Sequence, residues 1–196
     1  MELFAKAEQN TKFAKALGQG LVRSLIYLPK SMVEQIYKRT EYDFNFAIGM
    51  GKSVGYIFNY LPQDKRKKIM DRALSEEKAN GFAVGLAAGL GRVFAYLSPE
   101  FRQDLFMKTE HNSHFAIGLG QGLGMIFLYL SKDLMMDIVT RINSQPELSR
   151  RLSFSLGYLF ASLNDNLQQD VYDIAEKNVD FAEGLGNGLG RIFIHI

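Results

Sequence analysis

The chain has no cysteine, and that absence removes disulfides, thiolate nucleophiles and cysteine-ligated zinc together, while leaving a cytoplasmic location unopposed. Neither sign of charge is in excess. With 23 Lys and Arg against 21 Asp and Glu the formal charge is +2, so no global field draws the molecule to nucleic acid or an anionic membrane, and recognition has to be local. No uninterrupted apolar run reaches the roughly 18–20 residues that a membrane-spanning helix needs. Glu2, Lys6 and Glu8 leave the N-terminus without the apolar stretch of a secretory signal. The expectation is a soluble, cytoplasmic chain with no membrane partner, and its 47% hydrophobic content is enough for a packed core.

What the chain does have is repetition. The segments starting at Phe46, Phe82, Phe115 and Phe181 read FAIGMGKSVGYIFNYL, FAVGLAAGLGRVFAYL, FAIGLGQGLGMIFLYL and FAEGLGNGLGRIFIHI, and weaker copies start at Phe13 and Leu148. Successive starts lie 33, 36, 33, 33 and 33 residues apart, with the extra three residues falling between Asp64 and Gly81. On a helical wheel, Phe82, Ala83, Leu86, Leu90, Val93, Phe94 and Leu97 form one apolar face. Phe115, Ala116, Leu119, Leu123, Ile126, Phe127 and Leu130 repeat it in the next unit. This segment is helix A. Helix-start signals follow it, as in Ser98-Pro99-Glu100, Ser131-Lys132-Asp133 and Asn164-Asp165-Asn166. A helix B follows in turn, with apolar residues such as Leu105 and Phe106, or Ile138 and Ile142, placed to cover helix A.

Asn10, Asp43, Asn112 and Asn178 each stand three residues before a unit start, where a cap for the next helix A belongs. The expected fold is all-α: a right-handed α-solenoid of about six 33-residue helix-turn-helix repeats. It forms one domain, with a helix B half-repeat at 1–12, repeats at 13–45, 46–81, 82–114, 115–147 and 148–180, and a helix A half-repeat at 181–196. In period and hairpin form the whole chain resembles the tetratricopeptide and HEAT class of α-solenoids. In place of the tetratricopeptide Trp, Leu-Gly, Tyr, Ala, Phe and closing Pro it carries Phe-Ala-x-Gly-Leu-Gly-x-Gly, so the resemblance extends to architecture and names no single family.

Of the 18 glycines, 17 are expected inside helices A, with Gly81 outside them. A helical glycine costs roughly 1 kcal/mol relative to alanine, so something must offset it. Gly184 and Gly188 line one flank of their helix, and Gly186 and Gly190 line the other. Smooth flanks on both sides let each helix A lie against the helices A before and after it, in one parallel row. The recurrence of these strings within helices argues against a dinucleotide-binding turn, which needs a preceding strand.

Opposite the apolar face, between the flanks, runs the stripe in which the units differ most. It comprises Gln19 and Arg23, Lys52 and Tyr56, Ala88 and Arg92, Gln121 and Met125, Phe154 and Tyr158, and Asn187 and Arg191. One turn further on stands a ladder of Tyr27, Tyr60, Tyr96 and Tyr129, with Ser162 and His195 in the last two units. Tyr and Arg are enriched at binding hot spots, and the stripe and ladder are the candidate partner-binding surface. Two plainer readings stay open: the ladder packs adjacent units, and the stripe is an ordinary solvated face.

The leading expectation is a non-enzymatic scaffold that presents the stripe to a protein or peptide. The alternative is single-stranded nucleic acid, read by Arg and Tyr of successive repeats. Lys65-Arg66-Lys67-Lys68, the one dense basic run, reads as a solvated helix B face. No catalytic residue, cofactor or metal is expected: His111 and His114 fall at a helix junction, and Glu183 has no acidic neighbour on the stripe. The half-repeats are complementary, and the last helix keeps its full apolar pattern through Ile192, Phe193, Ile194 and Ile196. A further alternative is therefore head-to-tail self-assembly.

Overall fold

Helix starts are set by caps at the positions their spacing predicts. The side chains of Asn10, Asp43, Asn112 and Asn178 accept the backbone N–H of Phe13, Phe46, Phe115 and Phe181 at 2.9–3.0 Å. Ser98, Ser131 and Asn164 do the same for Phe101, Leu134 and Leu167 at the start of helices B. Each bond satisfies one amide that the first helical turn would leave unpaired.

A computed structural model describes residues 2–75 and 80–193. Its helices are α1 (Glu2–Gln9), α2 (Thr11–Leu21), α3 (Lys30–Arg39), α4 (Phe44–Ile57), α5 (Gln63–Leu74) and α6 (Asn80–Arg92). After these come α7 (Pro99–His111), α8 (Ser113–Gly124), α9 (Lys132–Ile142), α10 (Pro146–Leu159), α11 (Asp165–Lys177) and α12 (Val179–Phe193). Even-numbered helices are helices A and odd-numbered ones are helices B. The chain is an all-α helical-repeat solenoid in which each helix A packs on the next along the sequence. No helix among the described residues is long and apolar enough to cross a membrane. Within the stretch Asp64 to Gly81 that holds the three-residue insertion, Glu76 to Ala79 lie outside the described residues, as do Ile194, His195 and Ile196.

Gly81 differs from expectation. Helix α6 begins at Asn80, so Gly81 lies inside the helix, and a Cβ there would meet the Phe44 carbonyl oxygen of α4. At 15 of the 18 glycines, an added Cβ would come under 3.0 Å from an adjacent helix A. The contacts follow one register. Gly49, Gly85, Gly118 and Gly184 face the carbonyls of Lys15, Ile48, Val84 and Arg150 on the preceding helix. Gly51, Gly55, Gly91 and Gly157 face the following one. No glycine has a positive φ, so close approach and not backbone freedom is their use. Beneath this row lies the core of Phe46, Phe82, Phe94, Phe106, Phe115 and Phe181, each at most 1% exposed, packed with Leu86, Leu90, Leu119 and Leu123 at 0%.

Helices A from α2 to α10 do not stay α-helical to their ends. They tighten into 3₁₀ turns at Val22–Tyr27, Phe58–Tyr60, Phe94–Tyr96, Phe127–Tyr129 and Phe160–Ser162. In a 3₁₀ turn residues i and i+3 eclipse. This sends Phe94 with Leu97, and Phe127 with Leu130, into the core together, and it turns the intervening tyrosine outward.

Candidate partner-binding face

The tyrosine ladder does not pack between units. Tyr27, Tyr60, Tyr96 and Tyr129 are 81%, 88%, 84% and 84% exposed. One side-chain bond joins two of their turns: Asn59 Nδ2 donates to the Tyr96 carbonyl at 3.3 Å. The rings themselves stand in solvent on equivalent positions of four successive repeats.

The stripe is less uniform. Arg23, Asn187 and Arg191 are exposed, while Gln19, Lys52, Tyr56, Arg92, Gln121 and Phe154 are half-buried. Met125 and Tyr158 lie just on the exposed side. In α6 the face sinks: Ala88 is 8% exposed, and Val84, one turn before it, is 5% exposed. At the other end, between α10 and α12, an open depression of about 570 Å³ brings Phe154, Asn187 and Arg191 together with Arg150 and Glu183. Arg191 lies over the Phe154 ring at 5.4 Å, and Tyr158 meets the same ring edge-on at 5.2 Å.

Two stripe residues escaped the sequence reading, Lys15 and Arg150. Each lies four residues before a chosen position, on the same line of the wheel, and extending the stripe by one turn finds both. With them the outward face carries Lys15, Arg23, Lys52, Arg92, Arg150 and Arg191, and carboxylates gather at one end of it, around Arg150. Arg150 pairs with Asp180 at 2.8 Å, Glu147 at 2.9 Å and Glu183 at 3.3 Å. The remaining five cations form no ion pair among the described residues. Apart from the three on Arg150, which tie α10 to itself and to α12, the pairs hold helices B or their junctions. Near-neutral composition therefore conceals a segregated, basic and aromatic face.

Comparison with protein-family models, curated proteins and solved structures gives no match. The geometry is left to carry the functional reading. Lys52 is held below the ordinary lysine range, first by burial and then by Arg92 and Lys15. His111 is exposed and His114 half-buried, and no group of three or more His, Cys, Asp or Glu among the described residues is gathered to hold a metal ion.

Arginines of helix B were the other feature missed. Arg39 is 3% exposed; it donates to Asp43 Oδ2 at 2.8 and 3.1 Å and to the Phe4 carbonyl at 3.2 Å, and it lies over the rings of Phe4 and Phe46. Arg72 repeats the arrangement with the Tyr37 carbonyl, Thr40 Oγ1 and the Phe82 ring, and Arg141 lies over Phe106. The 33-residue spacing of Arg39 and Arg72 was the available signal.

Proposed function

We propose that the chain is a non-enzymatic binding scaffold, and that the outward face of its helices A holds an extended segment of a protein or peptide partner. The observation that carries this is the row of four tyrosines, each more than 80% exposed and at equivalent repeat positions, beside the stripe on which the repeats differ. Four bare aromatic rings add nothing to the core, and aromatic residues with polar tips are the usual anchors of an interface. Repetition of the framework with variation of the face is how solenoids gain specificity without altering stability.

The test is selection from a random peptide library. Enriched peptides are expected to lose binding to the Tyr60→Ser, Tyr96→Ser double variant and to keep it with Met107→Ser, an exposed change on α7. Failure to enrich any peptide, or indifference of the enriched ones to the two tyrosines, would overturn the reading.

One observation favours self-association as a second reading. Gly186 and Gly190 on α12, and Gly20 on α2, meet nothing within 4 Å, although the same flanks in the internal helices are packed against a neighbouring helix A. A second copy joining its α2 to α12 would extend the row in the register the chain already uses internally. Light scattering is expected to show mass rising with concentration, and Gly190→Leu is expected to abolish the rise without unfolding the monomer. A constant monomer mass removes this reading.

A further inference from the structure

Lys15 on α2, Lys52 on α4 and Arg92 on α6 run diagonally across three neighbouring helices. The glycine register fixes the line. The Lys15 carbonyl lies against Gly49, three residues before Lys52, and the Lys52 carbonyl lies against Gly89, three residues before Arg92. With helices about 8 Å apart and about 4.5 Å of rise over three residues, successive Cα atoms on the diagonal are about 9 Å apart. None of the three cations has a carboxylate partner among the described residues. The floor beside them is aliphatic: Ile48 and Ile117 are half-buried, and Val84 and Ala88 are buried.

Lys52 and Arg92 are half-buried and Lys15 is exposed beside them; burial first, and then the two like charges, disfavour the Lys52 ammonium, and an arriving anion offsets both. We infer that this diagonal binds an acidic peptide segment in the polyproline II conformation, with a carboxylate at every third residue. The inference rests on the peptide-scaffold reading above and names the chemistry of the partner. Polyproline II has three residues per turn and a rise of about 3.1 Å, so every third side chain returns to the same face after about 9 Å, the pitch of the diagonal. A β-strand, with its period of two, would turn alternate carboxylates away. The aliphatic floor suits proline rings and apolar side chains. Bases of a single-stranded nucleic acid want an aromatic platform at each step, and beside the diagonal the stripe offers one, the half-buried Tyr56 one turn beyond Lys52.

The probe is a fluorescein-labelled peptide of Glu-Pro-Pro triplets, followed by anisotropy at low salt beside its Gln-Pro-Pro counterpart and a polyuridine RNA. The wild type is expected to bind the Glu-Pro-Pro peptide at least about tenfold more tightly than the Gln-Pro-Pro one. Lys52→Gln is expected to weaken that binding about tenfold, the loss of one charge-assisted contact. Lys67→Gln, exposed on α5, is expected to leave it unchanged. Lys52→Gln is also expected to raise Tm, because it removes a charge disfavoured first by burial and then by its like-charged neighbours, and so weakened binding will not be a sign of misfolding. Equal binding of the two peptides, or binding of neither, overturns the acidic-segment inference. Library-selected peptides that still depend on Tyr60 and Tyr96 but show no enrichment in Asp or Glu would leave the scaffold reading standing alone. Tighter binding of polyuridine with the same dependence on Lys52 assigns the cations to phosphate and likewise overturns it.

Discussion

An alanine at Gly118 would press its Cβ into the Val84 carbonyl, whereas one at Gly186 would meet open solvent. The same substitution therefore has opposite signs. At Gly118 the helices must part, an overpacking cost of about 1–3 kcal/mol that outweighs the helix propensity gained. At Gly186 and Gly20 only the propensity remains, so each alanine is expected to stabilise by about 0.5–1 kcal/mol. Denaturant unfolding of the three variants checks this, and destabilisation by Gly186→Ala would show that its flank is packed after all. The sequence revealed that both flanks were smooth, because i, i+4 spacing alone puts Gly184 with Gly188 and Gly186 with Gly190. Which flank faces a neighbour depends on atoms in the adjacent repeat, far away along the chain.

Among the elements, α1 has the weakest claim to form alone, at eight residues, and its attachment is Arg39. That guanidinium joins α1, through the Phe4 carbonyl and Glu8, to Asp43, whose other oxygen caps α4. Arg39→Ala leaves the Asp43 carboxylate, largely buried, without its cation and is expected to cost about 3 kcal/mol. Arg39→Lys is expected to recover little, since one ammonium does not reproduce the fork of donors. Amide exchange of α1 in both variants tests the assignment, and unchanged protection in Arg39→Ala would contradict it. Caps and apolar faces were legible because they depend on neighbours within four residues. The 3₁₀ ends of helices A were not. Their wheel positions fit an α-helix nearly as well, and the choice follows from drawing Phe58 and Leu61, or Phe94 and Leu97, into one core.

Among the described residues the main contacts between helices A run between neighbouring repeats, so stability is expected to vary along the array. Helix α6 is buried at every residue from Gly81 to Gly91, while α2 and α12 each have an open flank. Hydrogen exchange is expected to be slowest in α4 to α8 and faster in α2 and α12; uniform protection would mean that the array opens as one unit. The sequence by itself determined the repeat, its period, its caps, its apolar face and the positions that vary. All of these are set by spacing along one chain and by backbone groups that must be satisfied locally. Only the tertiary structure decided that the tyrosines stand free and that Lys15, Lys52 and Arg92 crowd together without a carboxylate. Such juxtapositions depend on the register between helices, and that register is fixed by glycine flanks meeting carbonyls of the adjacent repeat.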